Sequence, residues 1–130
     1  MLVVDANVAV AAARVADGFT TLGGDVLVAP PLMWSEARSG LHEAAWRRDI
    51  DRATADRIHE RLLAAPIEPA APAELGREAW RIADDLGWAR TYEAEYVALA
   101  SLLGCRLVTL DGRLWRGTRS LGFVVSPAEL

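Results

Sequence analysis

TYEAEYVALASLLGCRLVTLD, residues 91–111, decides the architecture. It reads as an apolar helix running to Gly104, followed after one short turn by a strand, RLVTLD (106–111), that closes on an acid. Helix, tight turn and β-branched strand in direct succession are the signature of alternating α and β elements. Two carboxylates, Glu93 and Glu95, stand in the first turn of a helix that is otherwise greasy nearly all round. At 100° per residue they lie about 160° apart around the axis, so one ion cannot take both. Periodicity leaves open which of them serves a site and which is a first-turn acid favoured by the helix dipole.

The alternation continues outward. LVVD (2–5) is a short strand ending in an acid, and NVAVAAARV (7–15) reads as a helix. VLVAP (26–30) is a second strand, and LMWSEARSGLHEAAWRR (32–48) a helix opened by Pro31, a position where proline is tolerated. DRATADRIHERLLAA (51–65) is amphipathic, with Ile58, Leu62 and Ala65 on one side. IEPA (67–70) fits a short strand, PAELGREAWRIADDLG (72–87) a helix stopped by Gly87, and GFVVS (122–126) a last strand. Strands alternating with helices predict an α/β domain: a central, mostly parallel sheet covered by helices on both faces.

The chain has 130 residues, which predicts one domain over 1–130 with a real core. Just over half the residues are hydrophobic and a quarter charged, the balance of a globular fold rather than a disordered one. A net charge of −4 argues against a protein that coats nucleic acid electrostatically and leaves room for a local basic surface. Cys105 is the one cysteine, so neither a disulfide framework nor a thiolate metal cluster can form; it is expected as a small buried hydrophobe. The apolar N-terminus lacks a preceding positive charge and Asp5 interrupts it, so it does not read as a signal peptide. No apolar run reaches the roughly 18 residues of a membrane span, and the expectation is a cytoplasmic protein.

Open parallel sheets bind ligands outside the carboxyl ends of their strands. Asp5 and Asp111 each end a strand there, although an aspartate so placed also commonly starts a turn or caps a helix. Glu36 shares a helical stripe with Met33, Ala37, Gly40 and Ala44 and is expected to point inward, where it needs a partner. If Asp5, Glu36, Asp111 and one of the 93/95 pair converge, their mutual repulsion calls for a cation. An all-oxygen donor set selects Mg²⁺ or Mn²⁺, and a carboxylate-held Mg²⁺ typically serves phosphoryl chemistry. His42 and His59 lack metal-ligand spacing, and the tryptophans at 34, 46, 80 and 88 suit packing or interfaces. All fourteen cationic residues are arginine. Receivers of response regulators, haloacid-dehalogenase-type phosphatases and P-loop nucleotidases all place a lysine beside phosphate, which this chain cannot do.

VVDANV, an inward glutamate in the second long helix, YEAEYVALA and LVTLDGRL occur in that order, and together they resemble the PIN-domain ribonucleases. The nearest group is the VapC-type toxins of bacterial toxin–antitoxin pairs, and the resemblance spans the whole chain. It implies a PIN-like fold and four acids at the site: Asp5, Glu36, Glu93 and Asp111. Glu93 is thereby preferred over Glu95, which takes a variable position. Asp5, Glu93 and Asp111 would hold Mg²⁺ or Mn²⁺, Glu36 would orient ligands or water, and Asn7 and Thr109 would support them through hydrogen bonds.

The resemblance also implies hydrolysis of an RNA phosphodiester, a small VapB-like antitoxin that blocks the cleft, and a homodimer. RNA approaching an acidic cleft needs a basic rim. Arg113, Arg116 and Arg119, spaced by three with Trp115 among them, are the candidates beyond Asp111; Arg14, Arg38, Arg47 and Arg48 are further ones. One position departs from the family pattern, which has Asp where this chain has Glu93. An extra methylene moves a carboxylate by about 1.5 Å, and a misplacement of ~1 Å can cost on the order of a hundredfold in rate. The alternative reading is therefore a catalytically impaired PIN domain that serves as an RNA- or protein-binding scaffold.

Overall fold

A computed structural model describes residues 1–130. Five short parallel strands form the sheet: β1 (Leu2–Val4), β2 (Leu27–Ala29), β3 (Ile67–Pro69), β4 (Arg106–Val108) and β5 (Val124–Val125). Their order is β3-β2-β1-β4-β5, with Val3 opposite Val28 on one side and Leu107 on the other. The three central strands β1, β2 and β4 are almost entirely apolar and buried, as sheets covered on both faces require.

Six helices surround the sheet: α1 (Ala6–Ala13), α2 (Leu32–Trp46), α3 (Arg52–Leu63), α4 (Leu75–Leu86), α5 (Tyr92–Leu103) and α6 (Gly112–Thr118). They form two groups. α1, α2 and α3 pack on one another, while α4 packs on α5, and α5 lies against β1 and β4. Crossovers between parallel strands are right-handed. Connections running outward through β2 and β3 therefore place their helices on one face, and those reaching β4 and β5 place theirs on the other. The direction of travel reverses between β1 and β4, which makes the gap above these two strands the topological switch point.

Local chemistry explains the boundaries. Asp51 caps α3 by accepting from the Thr54 amide at 2.7 Å, and Arg61 closes α1 by donating to the carbonyls of Ala13 and Arg14 at 3.3 and 3.0 Å. Gly87 and Gly104 both adopt left-handed backbone at helix ends, the conformation glycine takes without a side-chain clash. Gly18 is required for a different reason: a Cβ there would lie 1.8 Å from the Ala12 carbonyl oxygen. The 3-10 turn Gly18–Leu22 thus sits directly on the end of α1.

The expected strands are all present but shorter, and in the first and fourth the cap of the next helix takes the last expected residue. Asp5 and Asp111 already belong to the caps of α1 and α6. Helix α6 was not anticipated: it is seven residues long, starts on a glycine and has little apolar periodicity. Cys105 is half-buried rather than fully buried, since it lies in the turn between α5 and β4. On α2 the buried stripe is Met33, Ala37 and Leu41, whereas Gly40 faces solvent, so the inward face is rotated from the expected one. Trp46 and Trp80 are largely exposed, Trp34 and Trp88 half-buried. No helix is long and apolar enough to cross a membrane.

Candidate active site

The residue that follows β1 is Asp5, and it is 95 % shielded, with a relative exposure of 5 %. Both carboxylate oxygens are engaged: Oδ1 accepts from the Val8 amide at 2.9 Å, and Oδ2 accepts from the Thr109 hydroxyl at 2.5 Å. Thr109 follows β4, next to β1 in the sheet, which is how residues 104 positions apart meet. The same Thr109 oxygen accepts from the Asp111 amide at 3.0 Å. Asp111 in turn caps α6, its Oδ1 accepting from the amides of Arg113 and Leu114 at 2.9 and 3.2 Å. Each strand-end aspartate is thus both a helix cap and a switch-point acid.

Electrostatics sets Asp5 apart. Burial pushes its carboxyl above the usual aspartate range, the Thr109 and Val8 hydrogen bonds pull it back, and the negative charges of Asp111 and Glu36 push it up again. A buried carboxylate raised in part by neighbouring acids is the kind of group that a bound cation would stabilise.

Glu36 points inward from α2 toward α5, as expected, and the partner it finds there is a phenol. The Tyr96 hydroxyl donates to Glu36 Oε1 at 2.6 Å. Burial and the adjacent Glu36 carboxylate hold that phenol protonated, well above its ordinary range. Tyr96 is a residue that sequence reasoning missed as a site component; the signal was a buried aromatic one turn beyond Glu93 on the helix that carries it.

Glu93 and Glu95 part company. Glu93 lines a cavity of about 580 Å³ together with Glu36, Trp88, Arg90, Tyr92 and Arg113, and its Oε1 lies 3.5 Å from Arg113 Nη2. Glu95 does not line that cavity, yet it is not a purely solvated acid. Partial burial raises its carboxyl, and the charge of Glu36 raises it further. Arg90, on the α4–α5 connection, is a cavity residue for which no spacing in the chain is a signal.

The remaining anticipated residues are placed as follows. Asn7 is exposed in the first turn of α1 and holds no acid, so of the two residues expected to support the carboxylates only Thr109 does so, at Asp5. Arg113, Arg116 and Arg119 are all exposed along α6 and its extension. The Arg119 guanidinium sits 4.8 Å above the Trp115 ring, so one face of that indole is already covered. Arg38 and the two histidines lie elsewhere, lining a smaller cavity between α2 and α3, where Arg38 Nε donates to His59 Nε2 at 3.1 Å.

The donor set is carboxylate oxygen throughout, which fits a hard divalent cation. As the side chains stand, however, no three acids, histidines or cysteines lie close enough together to hold one ion. Asp111 and Glu36 both act on Asp5, while the Glu93 carboxylate is turned to Arg113.

The chain is similar in sequence and in fold to known proteins. The profile of the PIN domain matches residues 2–118. Among curated proteins, a VapC ribonuclease of Mycobacterium bovis and ribonuclease VapC9 of Mycobacterium tuberculosis are each 38 % identical over 118 residues, covering 88 % of this chain and 88 % of their own. Among solved structures, PAE2754 from Pyrobaculum aerophilum superposes with a TM-score of 0.75 over 98 % of this chain and 90 % of its own, at 22 % identity, a likeness of fold. The family is generally metal-dependent. On both the sequence match and the fold, this chain belongs to the PIN-domain family.

Proposed function

We infer that the protein is a divalent-metal-dependent endoribonuclease, the toxin of a toxin–antitoxin pair. The observation that carries this reading is Asp5: a buried carboxylate at the topological switch point, bonded to Thr109 and raised by burial and by Asp111 and Glu36. Its kinship with proteins named VapC ribonucleases supplies the substrate class.

Asp5, Asp111 and Glu93 would hold the cation, for which Mg²⁺ is the first candidate and Mn²⁺ the second. When bound, such an ion polarises a phosphodiester and makes an adjacent water more acidic. The chain's own residues do the rest. Thr109 fixes the Asp5 carboxylate and, through the Asp111 amide, ties the two strand ends to one another. Tyr96 occupies Glu36 Oε1, which leaves Oε2 to accept a proton or a hydrogen bond from water in the cavity. Arg113 and Arg90 border that cavity, and Arg116 and Arg119 extend the cationic row along α6, a path for the phosphates of single-stranded RNA. Trp115, half-buried against the core with Arg119 over one face, would contribute only through what remains exposed of its ring. Asn7, exposed beside Asp5, would meet the substrate rather than the acids.

A VapB-like antitoxin covering the cleft, a homodimer and a cytoplasmic setting complete the reading. The alternative, an impaired PIN domain acting as an RNA- or protein-binding scaffold, draws on the Glu93–Arg113 pair, which engages one of the expected metal ligands. The test is cleavage of a mixed cellular RNA pool by antitoxin-free protein with Mg²⁺, with Mn²⁺ and with EDTA, alongside Asp5→Asn and Glu93→Asp. Divalent-dependent cutting that Asp5→Asn abolishes supports the nuclease. Cutting by Glu93→Asp alone supports the impaired site, and silence from every folded variant sinks the enzyme reading.

A further inference from the structure

The Glu93–Arg113 contact is the one place where an acid of the site is neutralised by the chain itself. Its geometry depends on the length of the residue at 93. The pair stands at 3.5 Å, and an aspartate, shorter by about 1.5 Å, would leave the guanidinium beyond ion-pair reach. The contact is also exposed: the Arg113 side chain is 81 % accessible and that of Glu93 40 %. Pairs of this kind are weak and are readily exchanged for a stronger cation. Both residues line the same cavity as Glu36, and no three acids are gathered while the pair is made.

We propose that Arg113 is a displaceable counter-ion that holds Glu93 apart from Asp5 and Asp111 until a divalent cation takes its place. Metal loading and release of Arg113 are then one event, and the freed guanidinium, already at the rim of the cavity, becomes available to an RNA phosphate. The glutamate at 93 is the device that makes this possible, because its extra methylene gives it two reachable partners, the arginine and the ion. This inference rests on the metal-site reading above.

The test is Mn²⁺ binding to the metal-free full chain, followed by calorimetry and by the paramagnetic resonance of free Mn²⁺, with no substrate present. Arg113→Gln should tighten Mn²⁺ by about two- to fivefold at low salt, the worth of an exposed ion pair. Arg116→Gln, which removes a charge from the same helix, should change it less. In a Glu93→Asp background, where the arginine is out of reach, Arg113→Gln should give no gain. The counter-ion role is overturned if Arg113→Gln leaves Mn²⁺ affinity unchanged or weakens it, or if its gain persists undiminished in Glu93→Asp, which would mark a long-range charge effect. Mn²⁺ binding that Asp5→Asn abolishes but that ignores Arg113 removes this inference and leaves the metal site standing. Absence of any Asp5-dependent binding removes both.

Discussion

Asp5 and Glu93 are both carboxylates at the N-terminal end of a helix, and they are held in opposite ways. Asp5 is buried, one oxygen fixed by a backbone amide and the other by Thr109. Glu93 sits on the second residue of α5, two-fifths exposed, with a single 3.5 Å contact to a mobile type of side chain. A cap has no freedom to move without unravelling its helix, whereas a long acid on a helix surface can exchange partners by a rotamer change. The proposed site therefore joins a rigid half, Asp5–Thr109–Asp111 just beyond the strand ends, to an adjustable half, Glu36 and Glu93 on helices.

The largest effect should come from the rigid half. Asp5→Asn is expected to lower RNA cleavage by on the order of a hundredfold or more, since even residues that merely support a metal ligand cost ten- to a hundredfold. The same variant should be more stable than the parent in EDTA at neutral pH. The sign follows from burial: the folded-state pKa of Asp5 lies above its unfolded value, so ionising it opposes folding. That penalty is absent below the unfolded pKa and complete once the pH exceeds the folded one. Thermal melts across pH should show the advantage of Asp5→Asn shrinking as the pH falls through the raised pKa. A parent more stable than Asp5→Asn at neutral pH would mean that the acid is not stored against the fold.

Next comes Thr109→Val, which keeps the shape but strands Asp5 Oδ2 and the Asp111 amide together. A loss of about 1–3 kcal/mol in urea unfolding is expected, and no loss would show that the two strand ends are not tied through this hydroxyl. Tyr96→Phe probes the adjustable half. Removing one hydrogen bond to Glu36 should cost about 1 kcal/mol of stability and up to about tenfold in cleavage rate. An effect as large as that of Thr109→Val would erase the distinction between the halves. The smallest change is expected from Glu95→Gln. The carboxyl of Glu95 is raised by partial burial and by Glu36, so neutralising it should stabilise the fold at neutral pH by no more than about 0.5 kcal/mol. That gain should vanish in acid, and a marked loss of activity would instead place Glu95 among the working acids.

How far the site could be read in advance varies residue by residue. Asp5 and Asp111 were legible because a strand that stops on an acid carries its own address in a parallel sheet, whichever way the chain later folds. A strand-end aspartate alone does not tell a cap from a site residue, and both aspartates are caps while standing at the switch point. Glu36 was legible as inward-facing, but its partner was not, since Tyr96 lies 60 residues away. Glu93 and Glu95 could not be separated by periodicity, because α5 is apolar nearly all round and has no polar face to orient it. Family likeness preferred Glu93, and the cavity it lines supports that preference.

Local pattern along the chain is enough for the alternation of elements, the burial of the central strands and the two acids that follow them. These follow because β-branched runs, helix caps and glycine stops act over a few residues. Tertiary structure alone decided that Thr109 bonds Asp5, that Tyr96 holds Glu36 and that Arg113 takes Glu93. The physical reason is that those contacts depend on which strands become neighbours and how each helix is rotated on the sheet. Both are set by the packing of the whole core, and no short stretch of the chain contains them.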